Sequence, residues 1–131
     1  MDSIGLPDGK LPQLRVLATP SDANKLGNIF GGWVMSQVDI AGSIPAELRA
    51  RGPVVTRAVT SFEFRMPVFI GDLVSCYAEI THEGHTSITV QVQVFAQRHH
   101  QGDLSCVQVT QAEVVYVAID THGRPQPLPN K

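Results

Sequence analysis

The hydrophobic positions change their spacing once along this chain, and the change separates one predicted helix from the predicted strands. Between Phe30 and Leu48 the apolar residues recur at intervals of three and four, which predicts a long helix that ends before Gly52 and Pro53. After Pro53 the interval becomes two, most clearly over residues 88–97. The pattern therefore predicts a protein in which several strands follow a single helix.

Turn residues divide the alternating part of the chain into separate strands. The predicted strands span residues 13–18, 57–64, 73–81, 88–97 and about 107–118. In the second of these strands, Ala58, Thr60, Phe62 and Phe64 are expected to share one face. Short turns between consecutive strands indicate an antiparallel sheet that covers the helix, which is an α+β architecture.

The length of 131 residues fits one compact domain. Residues 1–12 are rich in Gly and Pro and predict a flexible N-terminal arm, so the domain is expected to span residues 13–131. One helix on one curved sheet leaves little room for a deep cleft. The active site is therefore expected where two copies of the chain meet.

Charge and composition argue against several classes of partner. A net charge of -2 disfavours a nucleic-acid surface, although a local arginine cluster could hold the phosphates of one ligand. The first residues contain no apolar run of signal-peptide length, and the apolar helix carries polar residues that a bilayer disfavours, so a cytoplasmic protein without a membrane partner is predicted. Cys76 and Cys106 have no metal-site spacing and are expected to be reduced core thiols.

Asp39 is the first candidate for chemistry because it is the only ionisable residue between Ile29 and Ala46. A carboxylate among apolar neighbours without a cationic partner has its charged form disfavoured, which suits a general base. Helical spacing places Ser36 and Ser43 on the same face, and this strip is small and polar enough to admit a water. The alternative is a structural carboxylate that bonds to one of these serines or faces solvent.

Two glycines open the predicted helix. Gly31 and Gly32 leave backbone N–H groups accessible at a helix N-terminus, where the oxyanion of an acyl transfer can be stabilised. The alternative is an ordinary flexible turn, since the spacing matches neither the P-loop nor the dinucleotide fingerprint. Asn24, in the loop before the glycines, is by residue type an ordinary turn residue.

The sequence lacks the motifs that serine hydrolases and zinc sites require, which disfavours both kinds of chemistry. No G-x-S-x-G pattern surrounds either helix serine. The histidines at positions 82, 85, 99 and 100 are expected in solvent-exposed turns, without the cysteine or carboxylate spacing of a zinc site. No metal is therefore predicted.

Residues Thr19–Asp39, with the sequence TPSDANKLGNIFGGWVMSQVD, resemble the loop and central helix of YciA-type acyl-CoA thioesterases. The resemblance continues through Val54–Thr56, the F-x-x-P-x-x-x-G-D pattern that starts at Phe64, His85–Ser87 and Tyr116–Pro129. It covers nearly the whole chain except the N-terminal arm.

The resemblance implies a hotdog fold, in which an antiparallel sheet of five to six strands wraps a long central helix. It also implies dimers with a continuous sheet, assembled as a trimer of dimers into a homohexamer that hydrolyses acyl-CoA. No cofactor is implied, since coenzyme A belongs to the substrate. Asp39 matches the catalytic carboxylate, and Asn24 matches an asparagine that faces the carboxylate of the neighbouring subunit. The backbone N–H groups of Gly31 and Gly32 match the donors near the thioester carbonyl.

Contacts to coenzyme A are predicted by position at Thr86 and Ser87 and by charge at Arg57 and Arg65. The sequence departs from the family pattern in two places. Arg65 lies one place earlier than the expected basic residue, and Pro45 predicts a kink in the second half of the helix.

Two mechanisms and two other functions stay open on the sequence. Asp39 could activate a water or attack the thioester directly to give an anhydride. An acyl-CoA hydratase or dehydratase would need a histidine beside the carboxylate, yet the first histidine in the chain is His82. A noncatalytic acyl-CoA-binding module is the other alternative.

Overall fold

The computed structural model describes residues 4–131 and contains one long helix packed on one antiparallel sheet. The elements are β1 (Leu14–Leu17), a 3₁₀ turn (Pro20–Asp22), α1 (Gly31–Ala50), β2 (Val54–Phe64), β3 (Leu73–Glu83), β4 (Ser87–His100) and β5 (Asp103–Ala118). The strand order is β1-β3-β4-β5-β2, and every neighbouring pair is antiparallel. The predicted α+β class, with one long helix and five strands, is confirmed.

The centre of the core is the helix-facing side of β4. Its inward positions are Ile88, Val90, Val92, Val94 and Ala96, and all of them are 0% exposed, as the alternation predicted. The side of α1 that packs on them is buried at helical spacing: Val34, Val38, Ala41, Gly42, Ala46 and Ala50. Each fully buried valine or isoleucine contributes about 1.5–3 kcal/mol, so this contact fixes the helix on the sheet.

Two β-bulges in β2 decide which of its side chains face the helix. The register opposite β5 shifts after Thr56 and again after Val59. Residues directly opposite one another in an antiparallel pair share a face, so Thr56 joins buried Tyr116, and Val59 joins buried Val114, on the helix side.

The prediction that Ala58, Thr60, Phe62 and Phe64 share one face is therefore wrong. Phe62 and Phe64 lie on the helix side, opposite buried residues of β5, whereas Ala58 lies opposite Val115 on the other side. Thr60 instead donates a hydrogen bond to Glu113 Oε1 at 2.6 Å. Each bulge inserts one residue, and every later side chain then changes face. A simple period of two cannot reveal such an insertion.

The turn between β4 and β5 is tighter than the sequence suggested. Gln101 and Gly102 both have positive φ angles, 51° and 86°, as a two-residue hairpin turn requires. β5 therefore begins at Asp103, earlier than predicted, and His99 and His100 pair with it as the last residues of β4. The prediction that these two histidines lie in a turn is wrong.

The helix α1 runs from Gly31 to Ala50 even though Pro45 lies inside it. Proline lacks the N–H that would bond to the carbonyl oxygen of Ala41, which weakens the helix at this turn without ending it. The helix ends where Arg51 adopts a left-handed conformation, with φ 56°. The end predicted from the Gly-Pro pair that follows is confirmed.

The first described residues cross the outer face of the sheet, opposite the helix. The backbone N–H of Ile4 donates to the carbonyl oxygen of Cys106 at 2.8 Å, and Leu6 packs on a buried cluster formed by Tyr77, Phe95 and Cys106. No helix or strand precedes β1 in the part of the chain that is described.

The division into an arm of residues 1–12 and a domain of residues 13–131 stays a prediction, and residues 1–3 lie outside the described part. Cys76 and Cys106 are buried and form no disulfide. Burial raises the pKa of the Cys76 thiol to about 12. Among residues 4–131, no helix combines the length and the apolar character that crossing a membrane requires.

Candidate active site

Asp39 lies on the side of α1 that borders β2. The hydroxyl of Thr56 donates a hydrogen bond to Asp39 Oδ1 at 2.5 Å. Ser36 and Ser43, the partners considered from the sequence, instead donate to backbone carbonyl oxygens of the helix at 3.0 and 2.7 Å. The carboxylate is therefore held from a neighbouring strand and not from its own helix, and no cation pairs with it among the described residues.

The side chain of Asp39 is exposed in the single chain. The prediction that apolar neighbours enclose it is wrong for one chain, because buried Val34 and Val38 lie on the other side of the helix, against the sheet. Two large apolar residues on the exposed side, Met35 and Ile40, are 45% and 52% exposed. Enclosure of this carboxylate requires a second surface.

Thr56 is the site residue that the residue-by-residue reasoning missed. It faces the helix because the first bulge of β2 places Arg57 as the extra residue between Thr56 and Ala58. The only signal in the sequence was that Val54–Thr56 matched the family pattern. Nothing else about a threonine in a strand predicts that it hydrogen-bonds to a residue on another element.

The start of α1 keeps two backbone donors unpaired. Within residues 4–131 the N–H groups of Gly31 and Gly32 donate to no protein acceptor, as expected in the first turn of a helix that has no side-chain cap. The Phe64 ring lies 3.1 Å from the position that a Cβ atom would take at Gly31. At Gly32 nothing lies within 4 Å of that position, so this residue borders open space.

Asn24 uses half of its side chain to shape the loop before the helix. Its Oδ1 accepts hydrogen bonds from the backbone N–H groups of Leu26 and Asn28 at 2.9 and 3.2 Å. Its Nδ2 has no partner among the described residues, and Asn24 does not bond to Asp39 of the same chain. The amide nitrogen is therefore the part of Asn24 that can serve a ligand or a second subunit.

Tyr116, on β5, also contacts the residue that carries the carboxylate. Its hydroxyl donates to the backbone carbonyl oxygen of Asp39 at 2.7 Å. Burial, and after it the negative charge of Asp39, raises the pKa of the Tyr116 hydroxyl above its usual value. Sequence reasoning did not single out this role, although Tyr116 belongs to the last matching segment.

Two of the predicted coenzyme A contacts come together. Arg57 and Thr86 line an open cavity of about 360 Å³ on the outer side of β2, together with Gly123 and Pro125 of the C-terminal tail. Ser87 begins β4 next to Thr86 but does not line the cavity. Exposed Arg57 has no hydrogen-bond partner among the described residues, so its guanidinium can receive an anion.

Arg65 is not brought to this cavity. It follows the far end of β2, where its guanidinium bonds to Glu63, Gln108 and Gln111 at distances between 2.9 and 3.3 Å. Four hydrogen bonds, two of them to Glu63, already occupy it. Within one chain the structure does not bring Arg57 and Arg65 together, and a coenzyme A contact at Arg65 stays a prediction.

A larger cavity of about 1090 Å³ lies at the other end of the sheet and contains none of the predicted site residues. Its wall includes Asp72 and Arg98, which form an ion pair at 2.8 Å. Within residues 4–131 no group of three or more His, Cys, Asp or Glu side chains could hold a metal ion. Of the histidines predicted to lie in the next turn, His85 does lie there, but His82 lies in β3. The turn prediction is therefore wrong for His82.

The profile of the thioesterase superfamily matches residues 26–102 of this chain. This match spans α1, β2, β3 and β4, the elements that carry Asp39, Thr56 and the two glycines. The chain therefore belongs to the thioesterase superfamily.

Similar proteins identify the chain as a member of the YciA type within this superfamily. The acyl-CoA thioester hydrolase YciA of Salmonella typhimurium is 44% identical over 124 residues, which are 94% of this chain and 92% of the relative. An uncharacterized acyl-CoA thioester hydrolase of Buchnera aphidicola is 46% identical over 125 residues, 93% of this chain and 90% of the relative. The resemblance inferred from the sequence is confirmed.

Solved structures of similar proteins agree with the fold. A hexameric hotdog-fold thioesterase of Campylobacter jejuni is 47% identical, with a TM-score of 0.88 over 92% of this chain and 91% of that protein. A hexameric thioesterase of Yersinia pestis is 44% identical, with a TM-score of 0.87 over 96% of this chain and 100% of that protein. The predicted hotdog fold is confirmed.

Proposed function

We propose that this protein hydrolyses acyl-CoA thioesters to a carboxylic acid and coenzyme A, with Asp39 as the catalytic carboxylate. One observation carries the proposal: the Asp39 carboxylate accepts a hydrogen bond from the neutral hydroxyl of Thr56 and lies on the helix that begins with Gly31 and Gly32, whose N–H groups donate to no acceptor in the described part of the chain. Carboxylate and helix N-terminus supply a base and an oxyanion site on one rigid element. Most of the similar proteins are named for this reaction.

In the proposed mechanism the thioester carbonyl oxygen accepts hydrogen bonds from the backbone of Gly31 or Gly32. Thr56 occupies Oδ1 of Asp39, and Oδ2 remains to take a proton from water. The water oxygen attacks the carbonyl carbon, the C–S bond breaks, and the coenzyme A sulfur leaves with the pair of electrons and is then protonated. Direct attack by Asp39, with water resolving an anhydride, is the variant of this route.

The active site is proposed to be completed by a second copy of the chain. β2 pairs with β5 on one side, and no strand within residues 4–131 pairs with its other edge. Val55, Val59 and Phe64 of this strand are 45%, 45% and 55% exposed, and a long apolar edge is a template for strand pairing. A dimer through β2 would cover the exposed side of Asp39. Assembly into a hexamer follows the hexameric relatives.

The free Nδ2 of Asn24 is proposed to point at the carboxylate site of the partner subunit, where it would orient the water or the carbonyl. The cavity beside Arg57 and Thr86 is proposed to receive the phosphates of coenzyme A, with Ser87 next to it. The reaction needs water and no cofactor. The proposed location is the cytoplasm, consistent with two cysteines that form no disulfide.

The test is release of free thiol from a panel of acyl-CoAs of increasing chain length. We expect the wild type to be active and Asp39→Asn to lose roughly 10²–10⁴-fold in kcat with an unchanged Tm. Asp103→Asn is the matched control, because it makes the same chemical change at an exposed residue of the β4–β5 hairpin and should keep wild-type activity.

A wild type that binds acyl-CoA without releasing thiol would contradict the proposal and favour the noncatalytic module. Loss of an enoyl-CoA absorbance without thiol release would favour the hydratase. An Asp39→Asn variant with wild-type kcat would refute the role of the carboxylate.

A further inference from the structure

We propose that Tyr116 is a positioning residue for Asp39, which holds the helix turn that carries the carboxylate in register with the sheet. The inference rests on the proposed function. Tyr116 is 1% exposed and its hydroxyl is 2.7 Å from the carbonyl oxygen of Asp39. This hydrogen bond joins β5 to the backbone of the proposed catalytic residue, not to its reacting atoms.

The helix needs support at this turn because two poor helix formers follow Asp39. Gly42 weakens a helix by its backbone entropy, and Pro45 removes the donor that would bond to the carbonyl of Ala41. Asp39 lies within two turns of both. A donor from the sheet to the Asp39 carbonyl therefore acts where the intrinsic stability of α1 is lowest.

Gly42 also shows that the contact with Tyr116 is built into the packing. A Cβ atom at Gly42 would collide with the Tyr116 hydroxyl and lie 3.1 Å from two ring carbons. Any larger residue would push the ring away from the helix and break the hydrogen bond to Asp39. A glycine that is unfavourable for the helix is thus required by the tyrosine that supports it.

Tyr116 and Thr56 hold Asp39 at two points. They lie directly opposite one another in the β2–β5 pair and both face the helix. Thr56 bonds to the carboxylate and Tyr116 to the main chain of the same residue. Two anchors from adjacent strands fix both the position of the Cα atom and the direction of the carboxylate, which is what a precisely placed base requires.

The tyrosine itself does not exchange protons in this arrangement. Its hydroxyl hydrogen is already donated to the Asp39 carbonyl, and burial raises the pKa of this phenol so that it stays protonated through neutral pH. Its effect on the reaction must therefore pass through Asp39. This property separates it from a catalytic acid in an experiment.

The experiment compares Tyr116→Phe, which removes only the hydroxyl, with Tyr77→Phe, the same change in the outer cluster against Phe95. We expect Tyr116→Phe to lower kcat roughly tenfold with KM changed less than twofold, since a displacement of about 1 Å can cost 10²-fold. Tyr77→Phe should leave both constants at wild-type values.

The decisive measurement repeats Tyr116→Phe in the Asp39→Asn background. If Tyr116 acts through Asp39, its loss should not reduce the residual rate further; an equal tenfold loss in both backgrounds would mean a general structural role and overturn the proposal. A Tyr116→Phe variant with wild-type kcat would also overturn it. Neither result touches the proposed function, which fails only if the wild type releases no thiol or if Asp39→Asn stays fully active.

Discussion

Asp39 and Asp72 are two aspartates on the same small sheet-and-helix domain, and their surroundings differ in every respect that matters for chemistry. Asp72 is 2% exposed, and its Oδ2 accepts hydrogen bonds from Arg98 at 2.8 Å and from the backbone N–H of Phe69 at 2.9 Å. Asp39 is exposed and accepts one side-chain hydrogen bond, from the neutral hydroxyl of Thr56. A carboxylate that has a cation and a backbone donor serves structure, whereas one with a single neutral donor keeps lone pairs for water.

Arg98 connects Asp72 to the loop between β2 and β3. It stacks on Phe69, 4.6 Å from the ring centroid, and donates to the carbonyl oxygen of Pro67 at 3.1 Å. The same segment accepts the backbone N–H of Ile29 at the carbonyl of Val68, just before α1 begins. Asp72 therefore stabilises the loop between β2 and β3, to which the segment just before α1 is hydrogen-bonded.

The largest expected effect is on stability, at Asp72. Asp72→Asn leaves Arg98, whose side chain is only 15% exposed, without its counter-charge, and should lower the free energy of unfolding by about 3 kcal/mol in urea titrations. Glu79→Gln is the control, because Glu79 pairs with Lys10 at 3.5 Å on the surface and should change stability by about 0–1 kcal/mol. Equal losses of stability for the two variants would mean that Asp72 stabilises the fold no more than a surface carboxylate does, and would contradict its structural role.

Gly32→Ala tests the oxyanion site beside Asp39. A methyl group at Gly32 meets no protein atom within 4 Å, so the fold should be unaffected, but it would project into the space assigned to the thioester. We expect kcat/KM to fall about 10²-fold, because the methyl group would displace the thioester from the backbone N–H donors and a misplacement of about 1 Å can cost this much. Gly52→Ala, which also meets nothing within 4 Å, should be neutral. Full activity of Gly32→Ala would exclude this helix start from the site.

Thr56→Val sharpens the comparison by removing the side-chain donor that the described residues supply to the Asp39 carboxylate. Valine keeps the shape and the strand preference of threonine, so kcat should fall roughly tenfold with little change in Tm, and Thr56→Ser should restore most of it. Thr60→Val is the control, since the Thr60 hydroxyl bonds to Glu113 on the outer side of the sheet. If both valine variants behave alike, the hydrogen bond to Asp39 has no catalytic value.

Glu83 is partly exposed and pairs with Arg49, so its surroundings are intermediate between those of Asp72 and Asp39. Its substitution should give the smallest effect of the four. Arg49 donates to it at 2.9 Å and holds the pKa of Glu83 below its usual value of 4.5. A depressed pKa stabilises the fold above pH 4.5, and this contribution is lost as pH falls through the folded pKa. Glu83→Gln should therefore lower Tm at neutral pH, and the difference should vanish in acid. A Tm difference that persists in acid would contradict the assignment.

The candidate site was only partly predictable. Asp39, Gly31 and Gly32 could be found because isolation on an apolar helix and glycines at its start are local features. The partner of Asp39 could not, since Thr56 comes 17 residues later on another element and reaches the helix only because β2 bulges. Likewise the enclosure expected around Asp39 is missing from the single chain, and we propose that a second subunit supplies it, which the period of one helix does not describe.

The sequence by itself determined the order of elements, the buried face of β4, and the family, because these depend on local spacing and on motifs within short segments. Tertiary structure alone decided what holds Asp39. Thr56 donates a hydrogen bond to the Asp39 carboxylate. Tyr116, which lies 77 residues away in the sequence, donates one to the Asp39 main chain. Hydrogen bonds between distant elements depend on register, and one inserted residue in a strand reverses every side chain after it. No local pattern carries that information.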